Sequence, residues 1–161
     1  MSIELRKIIP EDRTEIAALQ IASWQANYRG ALPDTYLDGA LSDDMFQYWA
    51  TLEPASNDIM ILAEDDGNLV GFIYVWCRPD PYIDNLHVSP NYQSQGIGRQ
   101  LMSAAASALI KRGHKTAYLT VVDGNHRAVR FYESLGGITK ESSHQDIFSH
   151  SVSCVMPPSD S

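Results

Sequence analysis

The sequence lacks the features that define several large functional classes. It has only 12 Lys and Arg residues against 20 Asp and Glu, a formal net charge of −8. A protein that binds nucleic acid generally needs a basic surface to displace counterions, so we expect no nucleic-acid partner. No apolar run approaches the length of a membrane-spanning helix, so we expect no membrane partner either.

Cysteines and clusters of metal-ligating residues are also scarce. The two cysteines, Cys77 and Cys154, lie alone in segments with strand-like patterns. We interpret them as two buried thiols rather than a disulfide, because the chain is neither small nor secretory in pattern. The five histidines are scattered without metal-ligand spacing, so we predict no metal. The first residues, MSIELRKIIP, interleave charges and hydrophobes, unlike a signal peptide, and we expect a cytoplasmic location.

What the chain does have is the composition of an ordinary globular domain. It has 161 residues, of which 44% are hydrophobic and 20% charged. That length is enough to bury a substantial core. We predict one domain over residues 1–156 and a loose tail over residues 157–161.

Apolar periodicity and turn residues predict the element order βααα-βββ-α-β-α-ββ. Asp66–Asn68 (DGN) joins two apolar runs and predicts a hairpin. Ser42 is expected to cap the third helix, and Gly113 to end the long Ala-rich helix predicted over 99–112. A strand over 81–88 precedes that helix. The order predicts a mixed sheet with helices on its faces, an α/β or α+β sandwich.

Gly96 and Gly98 come just before the Ala-rich helix, in the stretch NYQSQGIGRQLM. The stretch does not fit a P-loop, and a dinucleotide fingerprint would need a glycine where Leu101 stands. The pattern Gln93-x-x-Gly-x-Gly instead predicts that amides near 94–99 form a cradle for a pyrophosphate at a helix N-terminus. A glycine turn that binds nothing is the alternative.

A second motif, NHRAVRFYESLGG, follows after one further strand. Together the two motifs resemble the core motifs of the GNAT superfamily of acyl-CoA-dependent N-acetyltransferases. The early stretch SWQANYRGALPDTYLD is similar to the N-terminal helices of many small members, and the predicted element order matches that family's fold over nearly the whole chain. The resemblance implies a mixed, mostly antiparallel sheet of six to seven strands, flanked by helices and splayed between its two central strands.

The resemblance also implies acetyl-CoA as co-substrate. The loop would bind the pyrophosphate, the strand before it would pair with the pantetheine arm, and the second motif would hold that arm. The cofactor-binding residues it implies are His87, Val88, Gln93, Ser94, Gln95, Gly96, Ile97, Gly98, Arg99, Asn125, Ala128 and Tyr132.

Direct attack by an amine on a thioester has three requirements: a neutral amine, a donor for the oxyanion and a proton for the leaving thiolate. The resemblance implies a backbone N–H near Leu86 as the oxyanion donor and Tyr132 as the general acid. A phenol suits this role because it is protonated at neutral pH. Without the motif, Tyr132 would be interpreted as a core aromatic.

The general base is less clearly marked. Family members often place a Glu on the strand before the loop, whereas this strand carries Asp84 and His87 but no Glu. Strand alternation predicts Tyr82, Asp84, Leu86 and Val88 on one face and His87 on the other. Asp84 is our first candidate; a merely solvated carboxylate, with ordered water as base, is the alternative.

The acceptor is expected to be a primary amine of a small molecule or a peptide. Trp24, Tyr28 and Tyr36 are candidates for lining its pocket, with core packing as the alternative, and aromatic rings suit a cationic amine. A non-catalytic acyl-CoA sensor of the same fold and a transferase of longer acyl groups are the rival functions. An intact Tyr132 disfavours the sensor. The sequence leaves open whether the protein forms a homodimer.

Overall fold

The computed structural model describes residues 2–78, 80–122, 126–135, 137–140 and 149–155. The strands are β1 (Ile3–Lys7), β2 (Ile59–Asp65), β3 (Asn68–Cys77), β4 (Pro81–Val88), β5 (Thr116–Val122), β6 (Gly137–Lys140) and β7 (Ser149–Val155). The helices are α1 (Arg13–Asn27), α2 (Asp34–Leu37), α3 (Ala40–Thr51), α4 (Ile97–Lys111) and α5 (His126–Ser134). This confirms the predicted order of elements.

The described strands form one seven-stranded sheet in the order β1-β2-β3-β4-β5-β7-β6. Among these described strands only β4 and β5 pair in parallel, so the predicted mixed, mostly antiparallel sheet is confirmed. The predicted β2–β3 hairpin is also present. Its turn residues Asp66 (φ 52°) and Gly67 (φ 82°) both adopt the left-handed conformation that a tight hairpin of type I′ requires.

The pairing between β4 and β5 is short, and the two strands diverge after it. Their pairing consists of Tyr82 opposite Tyr118 and Ile83 opposite Leu119. β4 nevertheless continues to Val88, and β5 continues to Val122. The predicted splay between the two central strands is therefore confirmed. It opens a gap in which the facing edges of β4 and β5 do not pair with each other.

The two faces of the sheet carry separate cores. Ile73 and Val75 of β3 pack towards α4, with Leu101 and Leu109. The alternate residues Phe72 and Tyr74 pack towards α1 and α3, with Ile16 and Trp49 among others. β3 is thus buried on both faces, and it fixes the positions of its neighbour β4 and of both helical layers.

Two helix starts differ from the sequence prediction. α3 begins at Ala40 with Gly39 at its N-cap, so the prediction that Ser42 caps this helix is wrong. The buried Leu41 draws the chain into the helix earlier. α4 begins at Ile97, directly after Gly96, rather than at 99. Ile97, the one residue between the two glycines, and Gly98 therefore belong to the first turn of α4.

Two further sequence predictions concern single features. Cys77 is a buried free thiol, as predicted. The side chain of Cys154 and the tail 157–161 lie outside the described residues. Within the described part of the chain, no helix has both the length and the apolar character needed to cross a membrane.

Candidate active site

A cavity of about 470 Å³ fills the gap between β4 and β5 and reaches α1, α4 and α5. It brings together most of the residues predicted from sequence, although they come from α1, β4, the loop before α4, α4 itself and α5. The predicted residues that line it are Trp24, Tyr28, Asp84, Leu86, His87, Val88, Gln93, Ser94, Gly96, Ile97, Gly98, Arg99, Ala128 and Tyr132.

Three predicted site residues are not among those lining this cavity. Gln95 is exposed on the loop. The Tyr36 hydroxyl donates to Asp44 Oδ2 at 2.7 Å, and its ring packs with the cluster between α1, α2 and α3. Asn125 lies outside the described residues.

The loop before α4 has the backbone shape of an anion cradle. Ser94 (φ 65°) and Gly96 (φ 83°) are left-handed, which turns successive amides in one direction. The first N–H groups of α4, from Ile97 onwards, have no partner within the helix, and the helix dipole adds positive potential there. The loop therefore fits a pyrophosphate in both shape and charge.

Gly98 is required for a different reason. A Cβ at this position would lie 3.2 Å from Phe131 Cζ and 3.9 Å from Val88 Cγ2. The absence of a side chain lets α4 begin close to α5 and to the end of β4. Gly96, by contrast, has open space around it, and only its backbone conformation favours glycine.

Two arginines stand beside the loop. Arg127, in the first turn of α5, donates to Gln93 Oε1 at 2.7 Å and to Ser94 Oγ at 3.3 Å. Arg99 donates to Ser134 Oγ at 2.8 Å. Guanidinium groups suit phosphate oxygens, so both strengthen the case for an anion. Sequence reasoning missed Arg127, although a basic residue in the second motif was a signal to consider.

The predicted alternation of side chains along β4 is confirmed for Leu86 and Val88 against His87, but it is wrong for Tyr82, which lies on the same face as His87. Between the pairs Tyr74–Asn85 and Val75–Ile83, β4 has one extra residue, Asp84. Such a bulge shifts every later residue by one position, so the sides exchange after it.

The register shows where each residue points after the bulge. His87 lies opposite Phe72, and therefore on the α1 face of the sheet together with Asn85. Leu86 lies opposite Ile73, and therefore on the α4 face together with Val88. Any contact of His87 with a ligand on the α4 side would have to use its backbone.

Asp84 is held in the bulge as a half-buried carboxylate. Asn85 Nδ2 donates to its Oδ2 at 2.7 Å. Burial raises the pKa of Asp84 to about 6, although the Arg78 charge and the Asn85 hydrogen bond act in the opposite direction. A carboxylate of this kind can take a proton near neutral pH, as a general base must.

His87 is not suited to the same role. Burial lowers the pKa of its imidazole to about 4. Its Nδ1 lies 2.8 Å from Ser23 Oγ and its Nε2 lies 3.1 Å from Asn85 Oδ1. Both ring nitrogens already have protein partners, so neither is free for a substrate proton.

Tyr132 lines the cavity from α5. It is only 8% exposed, and its ring meets that of Phe131 edge to face, with centroids 5.1 Å apart. The residue is therefore both a core aromatic and a cavity residue, and the two interpretations from the sequence do not exclude each other.

Trp24 and Tyr28 line the cavity from α1, one turn apart, with ring centroids 5.0 Å from each other. Burial raises the pKa of the Tyr28 phenol, which keeps it neutral. Within the described part of the chain, the buried Nε1–H of Trp24 has no hydrogen-bond partner. Ser23, Asn27 and Asn85 also line this side, and sequence reasoning missed all three.

Comparison with known proteins agrees with this geometry. The model of the acetyltransferase (GNAT) family matches residues 19–137. An uncharacterized N-acetyltransferase of Archaeoglobus fulgidus is 30% identical over 142 residues, which cover 82% of this chain and 90% of that protein. The chain therefore belongs to the acetyltransferase (GNAT) family, and it is an N-acetyltransferase.

Two other similarities add detail. The [ribosomal protein bS18]-alanine N-acetyltransferase of Escherichia coli is 46% identical over 52 residues, which cover 32% of this chain and 35% of that enzyme. The Paia N-acetyltransferase of Thermoplasma acidophilum, crystallised with coenzyme A, superposes with a TM-score of 0.79 at 21% identity, covering 96% of this chain and 99% of that one. The second similarity shows the fold.

Proposed function

We propose that the protein transfers the acetyl group of acetyl-CoA to a primary amine of a small molecule or a peptide, by direct attack in the cleft. The observation that carries the proposal is the splay after Ile83, which puts an anion cradle, a buried tyrosine and a carboxylate of raised pKa around one cavity.

The two sides of the cleft would have different tasks. The cofactor half comprises residues 86–88, 93–99 and 127–132. The acceptor half comprises Ser23, Trp24, Asn27, Tyr28 and Asp84. Both sets line the same cavity, with the exception of a few residues inside the ranges, such as Gln95.

The cofactor half fits acetyl-CoA, which supplies a thioester that is already activated for acyl transfer. Amides at the start of α4, with Arg127 beside them, would hold the pyrophosphate. The edge of β4 that β5 leaves unpaired would give Leu86 and Val88 backbone groups to the pantetheine arm. A backbone N–H near Leu86 would also donate to the carbonyl oxygen as its negative charge develops.

The acceptor half would prepare the amine. Trp24 and Tyr28 would hold an ammonium group against their rings. Asp84 would then accept one proton, because only the neutral amine has a lone pair for the attack. A carboxylate with a pKa of about 6 is ionised, and ready for this step, above that pH.

Tyr132 would complete the exchange. As the C–N bond forms and the C–S bond breaks, its hydroxyl would donate a proton to the departing sulfur. The second proton lost by the nitrogen restores the phenol. The products are an acetamide and coenzyme A, and one proton in total passes to solvent through Asp84.

The relatives support an amine acceptor. Their names describe acetylation of thialysine at its ε-nitrogen and of an alanine of ribosomal protein bS18. These acceptors share a primary amine, which is the group that our proposal assigns to this protein.

Release of free thiol from acetyl-CoA tests the proposal directly. The purified protein is incubated with small primary amines and with peptides that have a free N-terminal amine. The matching alcohols serve as controls. We expect thiol release with at least one class of primary amine and none with its alcohol. Tight binding of acetyl-CoA without turnover on any amine would support the sensor instead, and equal turnover of alcohols would contradict the amine.

A further inference from the structure

A chain of hydrogen-bonded side chains runs from the core between α1 and α3 to the cleft. Trp49 Nε1 donates to Gln20 Oε1 at 2.6 Å, and Gln20 Nε2 donates to Asn85 Oδ1 at 2.9 Å. Asn85 Nδ2 then donates to Asp84 Oδ2 at 2.7 Å. The first members are deeply buried: Trp49 is 1% exposed and Gln20 is 3% exposed.

The Trp49 indole fixes the donor-to-acceptor direction of every hydrogen bond in this series. An indole N–H can donate but cannot accept, so Gln20 must present its oxygen to Trp49 and its nitrogen to Asn85. Asn85 must in turn present its oxygen to Gln20, which leaves its nitrogen for Asp84. The buried Gln20 amide cannot exchange a lost partner for water, so reversing it would leave unsatisfied groups, and reversing Asn85 would set its N–H donors against those of Gln20.

A second arm leaves the same asparagine. Asn85 Oδ1 also meets His87 Nε2, so the His87 ring must carry its proton on Nε2. Its Nδ1 then accepts from Ser23 Oγ. Ser23 in turn accepts from Asn27 Nδ2 at 3.3 Å. Asn85 is therefore the junction at which both arms receive their direction.

We propose that Asn85 is the positioning residue for the Asp84 carboxylate, and that Trp49, acting through Gln20, fixes which way the Asn85 amide faces. This inference rests on the proposed role of Asp84 as general base. The amide holds Oδ2 and so sets the orientation in which the carboxyl group meets the incoming amine.

The surroundings of Asp84 define what this contact changes. Arg78, at the end of β3, stabilises the carboxylate, and Asp58, before β2, opposes it. Tyr48 of α3 also lies within electrostatic reach, and burial raises the pKa of its phenol to about 12. His87, on the same strand, is neutral above about pH 4. The Asn85 N–H is the one hydrogen bond that the structure shows to Asp84 among the described residues.

The test is the pH dependence of kcat/KM in Asn85→Leu, which removes the amide at similar size. Without the N–H, ionised Asp84 is less stable. We expect the midpoint of the acid limb to move to higher pH by roughly one pH unit, the effect of one hydrogen bond to a charged group. An acid limb that keeps its midpoint, with activity lowered equally at every pH, would overturn the proposal.

Two controls separate the possible failures. Arg13→Met removes the bonds from Arg13 to the carbonyl oxygens of Trp49 and Leu52, and so weakens the same helix pair without touching Asn85. It should lower the melting temperature and leave the acid limb in place. Asp84→Asn tests the base itself: if the acid limb survives in that variant, the proposed function of Asp84 fails, whereas its loss there with no shift in Asn85→Leu defeats only the positioning role.

A measurement that leaves Asn85 in place covers the case in which Asn85→Leu does not fold. ¹⁵N NMR of His87 reports which ring nitrogen carries the proton. We expect the Nε2–H form in the wild type, and a mixture of forms in Gln20→Met, which breaks the link to Trp49. An Nδ1–H form in the wild type would overturn the direction assigned to the chain.

Discussion

The loop before α4, in the cofactor half of the cleft, offers main-chain groups, whereas the acceptor half offers side chains. At the start of α4, Gly96 and Ser94 turn amides towards the cavity, and the glycines keep side chains out of the way. On the acceptor side, Gln20 meets Asn85 across 65 positions of sequence, and Ser23 meets His87 across 64. The loop of the cofactor half is therefore shaped by a single local segment, whereas the acceptor half depends on how α1 docks on β4.

This difference separates two kinds of specificity. A cradle of amides recognises the phosphates of any CoA ester, so it can stay the same while the acceptor changes. Side chains joined by long-range contacts can be altered one at a time. Substitutions in the two halves should therefore affect different constants, which the first three of the following predictions test.

The largest effect is expected from Gly96→Glu. A carboxylate at this position repels the pyrophosphate and blocks the amides beside it. Loss of two charge-assisted hydrogen bonds of about 1.5 kcal/mol each weakens acetyl-CoA binding by at least about 100-fold. Calorimetry measures the dissociation constant.

Gly67→Glu is the matched control for that variant. Gly67 has nearly the same φ, 82° against 83°, and equally open surroundings, but lies in the β2–β3 turn. Both variants carry the same backbone strain, so only Gly96→Glu should lose acetyl-CoA. Equal losses in both would mean that strain, rather than the cradle, explains the effect.

Tyr132→Phe should separate chemistry from binding within the cofactor half. Only a hydroxyl is removed, so kcat should fall by roughly 10- to 1000-fold while acetyl-CoA affinity stays within error. Tyr118→Phe, at an exposed position of β5 outside the cavity lining, serves as control and should retain kcat. Full activity of Tyr132→Phe would contradict the assignment of Tyr132 as the general acid.

Trp24→Leu should change the KM of the acceptor amine alone. A cation on an indole face contributes about 0.5 to 2 kcal/mol, so the acceptor KM should rise roughly 2- to 30-fold. The KM for acetyl-CoA should stay constant. Trp76→Leu is a useful comparison, because Trp76 packs on the same face of the sheet but does not line the cavity. A rise in the acetyl-CoA KM of Trp24→Leu would show that the two halves are not separate.

The smallest effect concerns stability. The pKa of Asp84 is higher in the folded protein, about 6, than the ordinary 3.8, so the folded state binds this proton more tightly between those values. Stability therefore falls as pH rises through that window, and the full cost is present above about pH 6. Asp84→Asn should raise the melting temperature at neutral pH and lose that advantage below pH 3.8. A lower melting temperature at neutral pH would contradict the raised pKa.

The sequence predicted the half of the site that is local. The glycine spacing indicated the cradle, and the DGN turn indicated the hairpin, because both depend on residues close together in the chain. The resemblance to acetyltransferases added the splay, which the structure confirms, and the role of Tyr132, which stays a prediction.

The acceptor half could not be predicted in the same way. The bulge at Asp84 depends on the register of β3, so alternation along β4 alone put Tyr82 on the wrong face. No sequence pattern marks Gln20 or Asn85, because they meet only when α1 docks on the sheet, which brings Gln20 Nε2 to 2.9 Å from Asn85 Oδ1. Tyr36, predicted to line the pocket, is turned instead towards Asp44 by a contact within the helical layer.

The most direct test of the division between the halves compares Asp84→Asn with the wild type in two measurements on the same preparation. In the wild type, kcat/KM for the amine should rise with pH through a midpoint near 6, the pKa of Asp84. Asp84→Asn should lose this limb and most of the activity, with the acetyl-CoA dissociation constant unchanged. An acid limb that persists at the same pH in the variant, or a parallel loss of acetyl-CoA affinity, would contradict the assignment of base and cradle to separate halves.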